Sequence, residues 1–214
     1  MSLQQIDKPV KLFLKENQLQ ETKQKELSKS SLMQSNEMVT KSILAMYPTI
    51  KDFMKEYNPN RQTIIASEPE KCFFGNSPTL AILNNVYGNN AAAAWLVPEL
   101  YEISIFCGLK ELPDQDQLIK TAKIISYHYH WLKVDELQLF FFRFCASCYK
   151  QFYSYYNPQI ILQSLQDFIR ERTAAYQRKE NEERWKQYEI AQRNAITYEE
   201  YERIKPFMGI DKSI

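Results

Sequence analysis

Four cysteines and two histidines are the residues of this sequence best suited to binding a metal ion. Cys145 and Cys148 are separated by two residues, a spacing at which both thiolates can reach one Zn²⁺ ion. His128 and His130 precede them but are two positions apart on a predicted helix, so their side chains point to different faces. At most one histidine could join the thiolates, and the two remaining cysteines would have to complete the site. We therefore predict no metal site and interpret Cys145 as a small apolar packing residue.

No pattern in the sequence is typical of a catalytic site. Acid–base or nucleophilic catalysis requires a base held against a partner group. Both histidines lie within residues 127–131, Tyr-His-Tyr-His-Trp, at the end of a predicted helix. Aromatic rings with polar atoms at their ends suit a half-buried position there, so we interpret these residues as structural. The sequence has no phosphate-binding glycine loop, no His-Glu-x-x-His motif and no Gly-x-Ser-x-Gly motif. We predict that the protein is not an enzyme and uses no cofactor.

Aromatic residues interleaved with basic ones make residues 149–156 the best candidate binding segment. Five of these eight residues are Tyr or Phe. Such rings can fold onto the core and seal it, anchor a protein partner, or stack on nucleic-acid bases, and the sequence leaves these three interpretations open. Three arginines and a lysine, at positions 170, 172, 178 and 179 of the predicted helix that follows, are interleaved with glutamates. This pattern favours a solvated face over a phosphate-binding strip. The candidate interaction residues are Arg143, Tyr149, Lys150, Phe152, Tyr153, Arg170 and Arg172.

Composition and hydrophobic spacing predict an all-α fold that positions these residues. The 214 residues include only 4 glycines, which disfavours hairpin-rich β folds. After residue 77, apolar residues recur at three- and four-residue spacing in about five segments. We expect a compact bundle of about five helices, with an N-terminal helical arm and a long charged C-terminal helix.

Proline, asparagine and aspartate mark the predicted helix starts. One helix is predicted to end at Gly88, and the last long one to continue to about Asn194. In the fourth helix of the bundle, Leu137, Phe140, Phe141 and Phe144 are predicted to point inward. The predicted starts are Ser77-Pro78, Asn89 or Asn90, Pro113-Asp114, Asp135 and Asn157-Pro158.

The distribution of prolines and charges predicts four regions. Residues 1–57 are predicted to be a partly mobile N-terminal helical appendage. Residues 58–78, which hold three prolines and one glycine, are predicted to be a linker loop. Residues 79–172 are the predicted helical core domain. Residues 173–214 are predicted to form an extended charged helix and a short last helix, the latter opened by a capping box at Thr197 and ended by Pro206.

Charge and hydropathy narrow the expected partners and location. The formal net charge is +1 and the pI is about 7.6, whereas a dedicated nucleic-acid-binding domain is usually above about 9. No apolar run reaches the roughly 18 residues of a membrane-spanning helix, and the N-terminus carries no apolar signal segment. We expect a cytoplasmic protein with reduced thiols and no membrane contact.

A set of short motifs gives residues of about 79–172 a resemblance to a known family. These motifs are Tyr87-Gly88, Trp95-Leu96, Leu132-Lys133 to Glu136-Leu137, Phe140-Phe141-Phe142, Tyr149 to Phe152-Tyr153, Asn157-Pro158 and Glu171-Arg172. This region resembles an uncharacterised family of small bacterial helical proteins associated with mobile elements and phages. The chain departs from it at residues 145–150, where relatives tend to carry glycines.

These observations favour a non-enzymatic interaction or accessory protein that binds a protein partner. The resemblance implies a role in the replication or maintenance of a mobile element. The alternative is a direct nucleic-acid-binding protein that uses the aromatic segment and the arginine-bearing helix. The sequence indicates no particular oligomeric state.

Overall fold

The protein is all-α, as predicted, in a computed structural model that describes residues 37–195 and 198–204. Within these residues, β-type pairing is limited to two isolated bridges. The predicted arm over residues 1–31, the capping box at Thr197 and the helix end at Pro206 lie outside the described residues. The helices are α1 (residues 37–46), α2 (Ile50–Glu56), α3 (Arg61–Ala66), α4 (Pro69–Phe74), α5 (Leu80–Tyr87), α6 (Ala91–Phe106), α7 (Gln115–His128), α8 (Val134–Cys145), α9 (Pro158–Arg193) and α10 (Tyr198–Ile204).

The chain divides into two compact units, one extending to Ser164 and the other beginning at Leu165. In the first unit, α6 contacts α5, α7 and α8, so its side chains form the centre of the core. The four residues predicted to point inward from α8 are fully buried. Burial of such side chains stabilises the fold by roughly 1.5–3 kcal/mol each. This apolar run therefore holds α8 in the core.

Most predicted helix starts are confirmed, and one is displaced by two residues. The Asp114 carboxylate accepts a hydrogen bond from the Gln117 amide at 2.6 Å and so caps α7. The helix expected to begin at Ser77-Pro78 begins instead at Leu80. The displacement arises because the backbone of residues 78–80 pairs with residues 132–134: the Val134 amide donates to the Pro78 carbonyl at 2.9 Å.

The prediction of a linker loop over residues 58–78 was wrong, because α3 and α4 occupy most of this range. Both helices pack against α8 and bury Ile65, Cys72 and Phe73. Each helix has six residues, too few for a periodic pattern to show in the sequence. Pro69 opens α4 from its first turn, a position that proline tolerates well.

An aromatic cluster attaches α2 to α5 and α6. Phe53 is fully buried, and its ring stacks on Tyr57 with 4.3 Å between centroids. The Tyr87 hydroxyl donates to the Tyr47 carbonyl, and the Trp95 indole N–H donates to the Tyr57 carbonyl, both at 2.7 Å. The described part of the predicted N-terminal appendage is therefore packed within the first unit.

The second unit contains the distal part of α9, which ends at Arg193, close to the predicted end near Asn194. From Glu180 to Ala195 every residue is exposed. Arg184 pairs with Glu180 one turn earlier at 3.0 Å, an interaction worth about 0.2–0.5 kcal/mol on a helix. No helix in the described part of the chain combines the length and apolar content needed to cross a bilayer.

Candidate functional site

The aromatic segment at residues 149–156 divides into a packed part and an exposed part. The Phe152 ring packs against Phe144 and Tyr156, with centroids 5.2 and 5.6 Å apart. The Tyr149 ring lies 5.8 Å from that of Phe140. Burial raises the pKa of Tyr156 to about 12. Tyr149 and Phe152 pack against α8, and Tyr156 is buried beside Phe152. These rings seal the core, which is one of the interpretations that the sequence left open.

Tyr153 is the exposed part of this segment, with 93% of its surface accessible. Lys150 and Tyr155 are exposed as well. The segment is held on the α6–α7 connection, because the Lys110 amide donates to the Ser154 carbonyl at 3.2 Å. This end of the first unit therefore presents two tyrosine rings and a lysine to solvent.

The three candidate arginines are distributed over both units. Arg143 is half-buried on α8 in the first unit. Arg170 and Arg172 belong to the second unit, where Arg170 pairs with Asp167 at 2.8 Å. Arg172 places its guanidinium 4.4 Å from the centroid of the Tyr176 ring. These contacts give the arginines of α9 neighbours on their own helix.

The four cysteines are free thiols. Cys145 is half-buried at the end of α8, where burial raises its pKa to about 12, and Cys148 is exposed. His128 and His130 are exposed. Among the described residues, no group of three or more His, Cys, Asp or Glu side chains could hold a metal ion.

The main polar cluster that the sequence did not reveal surrounds Glu99, a fully buried carboxylate on α6. One of its oxygens accepts a hydrogen bond from the Gln62 amide at 2.5 Å, and the other accepts from the Gln138 amide at 3.0 Å. Gln62 lies on α3 and Gln138 on α8. The carboxylate therefore joins three helices through hydrogen bonds of the kind that a buried charge requires.

Arg61 extends this network towards the surface. Its guanidinium donates to the Asp135 carboxylate at 2.6 Å and to the Gln138 side-chain oxygen at 3.0 Å. The same group lies 4.3 Å from the centroid of the Tyr57 ring. Since Gln138 also donates to the Asn58 carbonyl at 3.0 Å, both ends of its amide are engaged and its orientation is set. We name these residues the Glu99 network: Arg61, Gln62, Glu99, Asp135 and Gln138.

The Glu99 network has one property of a catalytic site and lacks another. Burial raises the pKa of Glu99 to about 7, a value that suits acid–base chemistry near neutrality. However, both carboxylate oxygens are occupied by protein donors and the side chain has no solvent exposure. A substrate could not reach it without separating α3 from α6 and α8. The sequence signal for this cluster was a carboxylate between two leucine-bearing apolar stretches of α6, at Glu99.

A second group of exposed residues lies on α9 in the second unit. Trp185 and Tyr188 have 66% and 53% of their surfaces accessible. Their rings meet edge to face, 5.9 Å apart at 87°. Together with Asn181 and Arg184 they line a shallow hollow of about 370 Å³. We name these four residues the α9 aromatic face.

Comparison with known proteins adds one match. No curated protein and no solved structure matches the chain. One family match was found, and it overlaps the region of about residues 79–172 whose motifs gave the resemblance described above. The model of a family of unknown function, DUF6633, matches residues 113–208, a range that includes α7, α8 and α9.

Proposed function

We propose that the protein is a non-enzymatic interaction protein whose α9 aromatic face docks into an apolar groove of a protein partner. The observation that carries this proposal is the exposure of Trp185 and Tyr188 side by side on a part of α9 that is rich in charged residues. Trp, Tyr and Arg dominate the binding energy of protein interfaces, and all three occur in this face. A helix that offers anchors at three- and four-residue spacing is suited to helix-in-groove recognition.

The Glu99 network supports a non-enzymatic role. The pKa of Glu99 suits acid–base catalysis, yet protein donors occupy its carboxylate and solvent does not reach it. Its position between α3, α6 and α8 fits a structural contribution. The accessory role in mobile-element replication or maintenance depends on the motif resemblance of residues of about 79–172.

The interaction proposal predicts that Trp185→Ala/Tyr188→Ala weakens partner binding by at least about 30-fold, since truncation of even one hot-spot residue costs about 2 kcal/mol or more. A photo-crosslinking amino acid at position 185 identifies the partner in cells, and the purified pair then gives the dissociation constant. Glu183→Ala/Gln187→Ala is the matched control, because these exposed residues lie on the opposite side of the same turns.

Two results would contradict this proposal. One is a purified complex whose affinity the double aromatic variant leaves unchanged. The other is crosslinking only to a second copy of the chain, which would make the face a self-association surface. Far-ultraviolet circular dichroism of both variants should match that of the natural protein, because the replaced side chains are exposed.

Direct nucleic-acid binding through the aromatic segment is the second candidate function. It is favoured by Tyr153 and Lys150, which expose a ring and a cation on one short segment. Affinity for single-stranded DNA should then fall steeply as salt is raised, and Tyr153→Ala should weaken it about 5- to 100-fold through lost stacking. Salt-titrated fluorescence anisotropy measures both effects, and failure to bind single- or double-stranded DNA at low salt eliminates this candidate.

A further inference from the structure

A groove in the first unit follows one face of α7 to the turn between α5 and α6. It consists of two adjoining hollows, of about 410 and 790 Å³. Lys123, Tyr127 and His128 line both of them.

Tyr127 supplies an accessible ring at the middle of this groove. Its side chain has 80% of its surface exposed, and its ring meets that of His128 edge to face at 5.6 Å. Lys120 and Lys123 precede it by seven and four positions, so the three side chains lie on one face of α7. An exposed ring beside cations is the arrangement on which nucleic-acid bases stack.

Asparagine side chains form the other wall, where Asn85, Asn89 and Asn90 are exposed. Asn90 has a left-handed backbone with φ 76°, and its side chain makes no capping hydrogen bond to α6. Asn84 performs that task instead, since its side-chain oxygen accepts from the Ala92 amide at 3.0 Å. The exposed carboxamides each offer a donor beside an acceptor, which matches the edge of adenine.

The charges in the groove indicate where a phosphate would lie. Asp116 lies at the far end of the first hollow, one helical turn before Lys120. The second hollow combines Lys123 with the asparagines and contains no carboxylate. A phosphate is therefore best placed at Lys123. The charged and titratable side chains that line the groove are Asp116, Lys120, Lys123, Tyr127, His128 and His130.

We propose that this groove binds an adenine nucleotide, either free or within a single strand of nucleic acid. The adenine ring stacks on Tyr127, its edge pairs with the carboxamides of the asparagine wall, and its phosphate lies against Lys123. The site shares no residue with the aromatic segment or with the α9 aromatic face. It therefore stands independently of the protein partner proposed above.

The test uses the full chain with AMP, ATP and an oligodeoxyadenylate of about 12 nucleotides, a length within the site sizes of single-strand-binding folds. Saturable binding is expected at low salt, and Tyr127→Ala should weaken it at least about 10-fold through lost stacking. Lys123→Ala should reduce the salt dependence by about one charge. Tyr101→Ala, which replaces an exposed tyrosine of α6 outside the groove, should leave the affinity unchanged.

The ligand series distinguishes the two sources of adenine. Tighter binding of the oligonucleotide than of AMP identifies a strand, whereas equal affinities identify a free nucleotide. Equal binding of an oligodeoxycytidylate overturns the assigned role of the asparagine wall. The proposal as a whole is overturned if none of the three adenine probes saturates, or if Tyr127→Ala binds as the natural protein does. Since Tyr127 is exposed, Tyr127→Ala should have the same Tm as the natural protein, and thermal unfolding of both checks this.

Discussion

Glu99→Gln is expected to become progressively more stable than the natural protein as pH rises, by about 3 kcal/mol in total. Burial raises the pKa of Glu99 from 4.5 to about 7 in the folded protein. Its stabilising contribution is therefore complete below pH 4.5 and is lost as pH rises through 7, because the ionised form is tolerated better in the unfolded chain. At about 1.36 kcal/mol for each pKa unit, this shift gives the expected difference.

Glutamine suits this site because it keeps the shape of glutamate without its charge. Its oxygen can accept from Gln138, whose amide is held by Arg61 and Asn58. Its nitrogen requires only that the Gln62 amide turn over. Urea denaturation at intervals between pH 4.5 and 8 measures the difference in the free energy of unfolding. Glu102→Gln, at an exposed position on the same helix, should show no comparable trend, and a flat difference for Glu99→Gln would disprove this explanation.

Arg61→Met is expected to destabilise the protein by about 3 kcal/mol, because it leaves the Asp135 carboxylate without its cation in a nearly buried place. The side chains of this pair are only 24% and 12% exposed. Methionine keeps much of the apolar length of the arginine, so the loss reports mainly the polar contacts. Equilibrium unfolding in urea measures the effect.

The exposed pair of Lys55 with Asp52 provides the control for this measurement. Its side chains are 79% and 40% exposed, so Lys55→Met should cost less than about 0.5 kcal/mol. Arg61→Met/Asp135→Asn should recover part of the stability lost in Arg61→Met alone, since it removes the unpaired charge. If Arg61→Met and Lys55→Met lowered the free energy of unfolding equally, burial of the Arg61–Asp135 pair would make no difference to stability.

The sequence alone determined the helical class and the positions of the long helices. Local chemistry suffices for these features, because helix periodicity and capping are encoded within a few residues of each other. The inward-facing residues of α8 and the cap at Asp114 were predicted for this reason. The same local signals placed the end of α9 near Asn194.

Only the tertiary structure decided which polar residues are buried together and which aromatic residues remain exposed. Glu99, Gln62 and Gln138 lie 37 and 39 positions apart along the chain, and no local pattern joins them. The helices α3 and α4 were missed because their stability comes from packing on α8 rather than from their own six residues. Likewise, Phe152 is packed and Tyr153 exposed within one aromatic run, since adjacent side chains point in different directions and only the neighbouring elements determine which of them is covered.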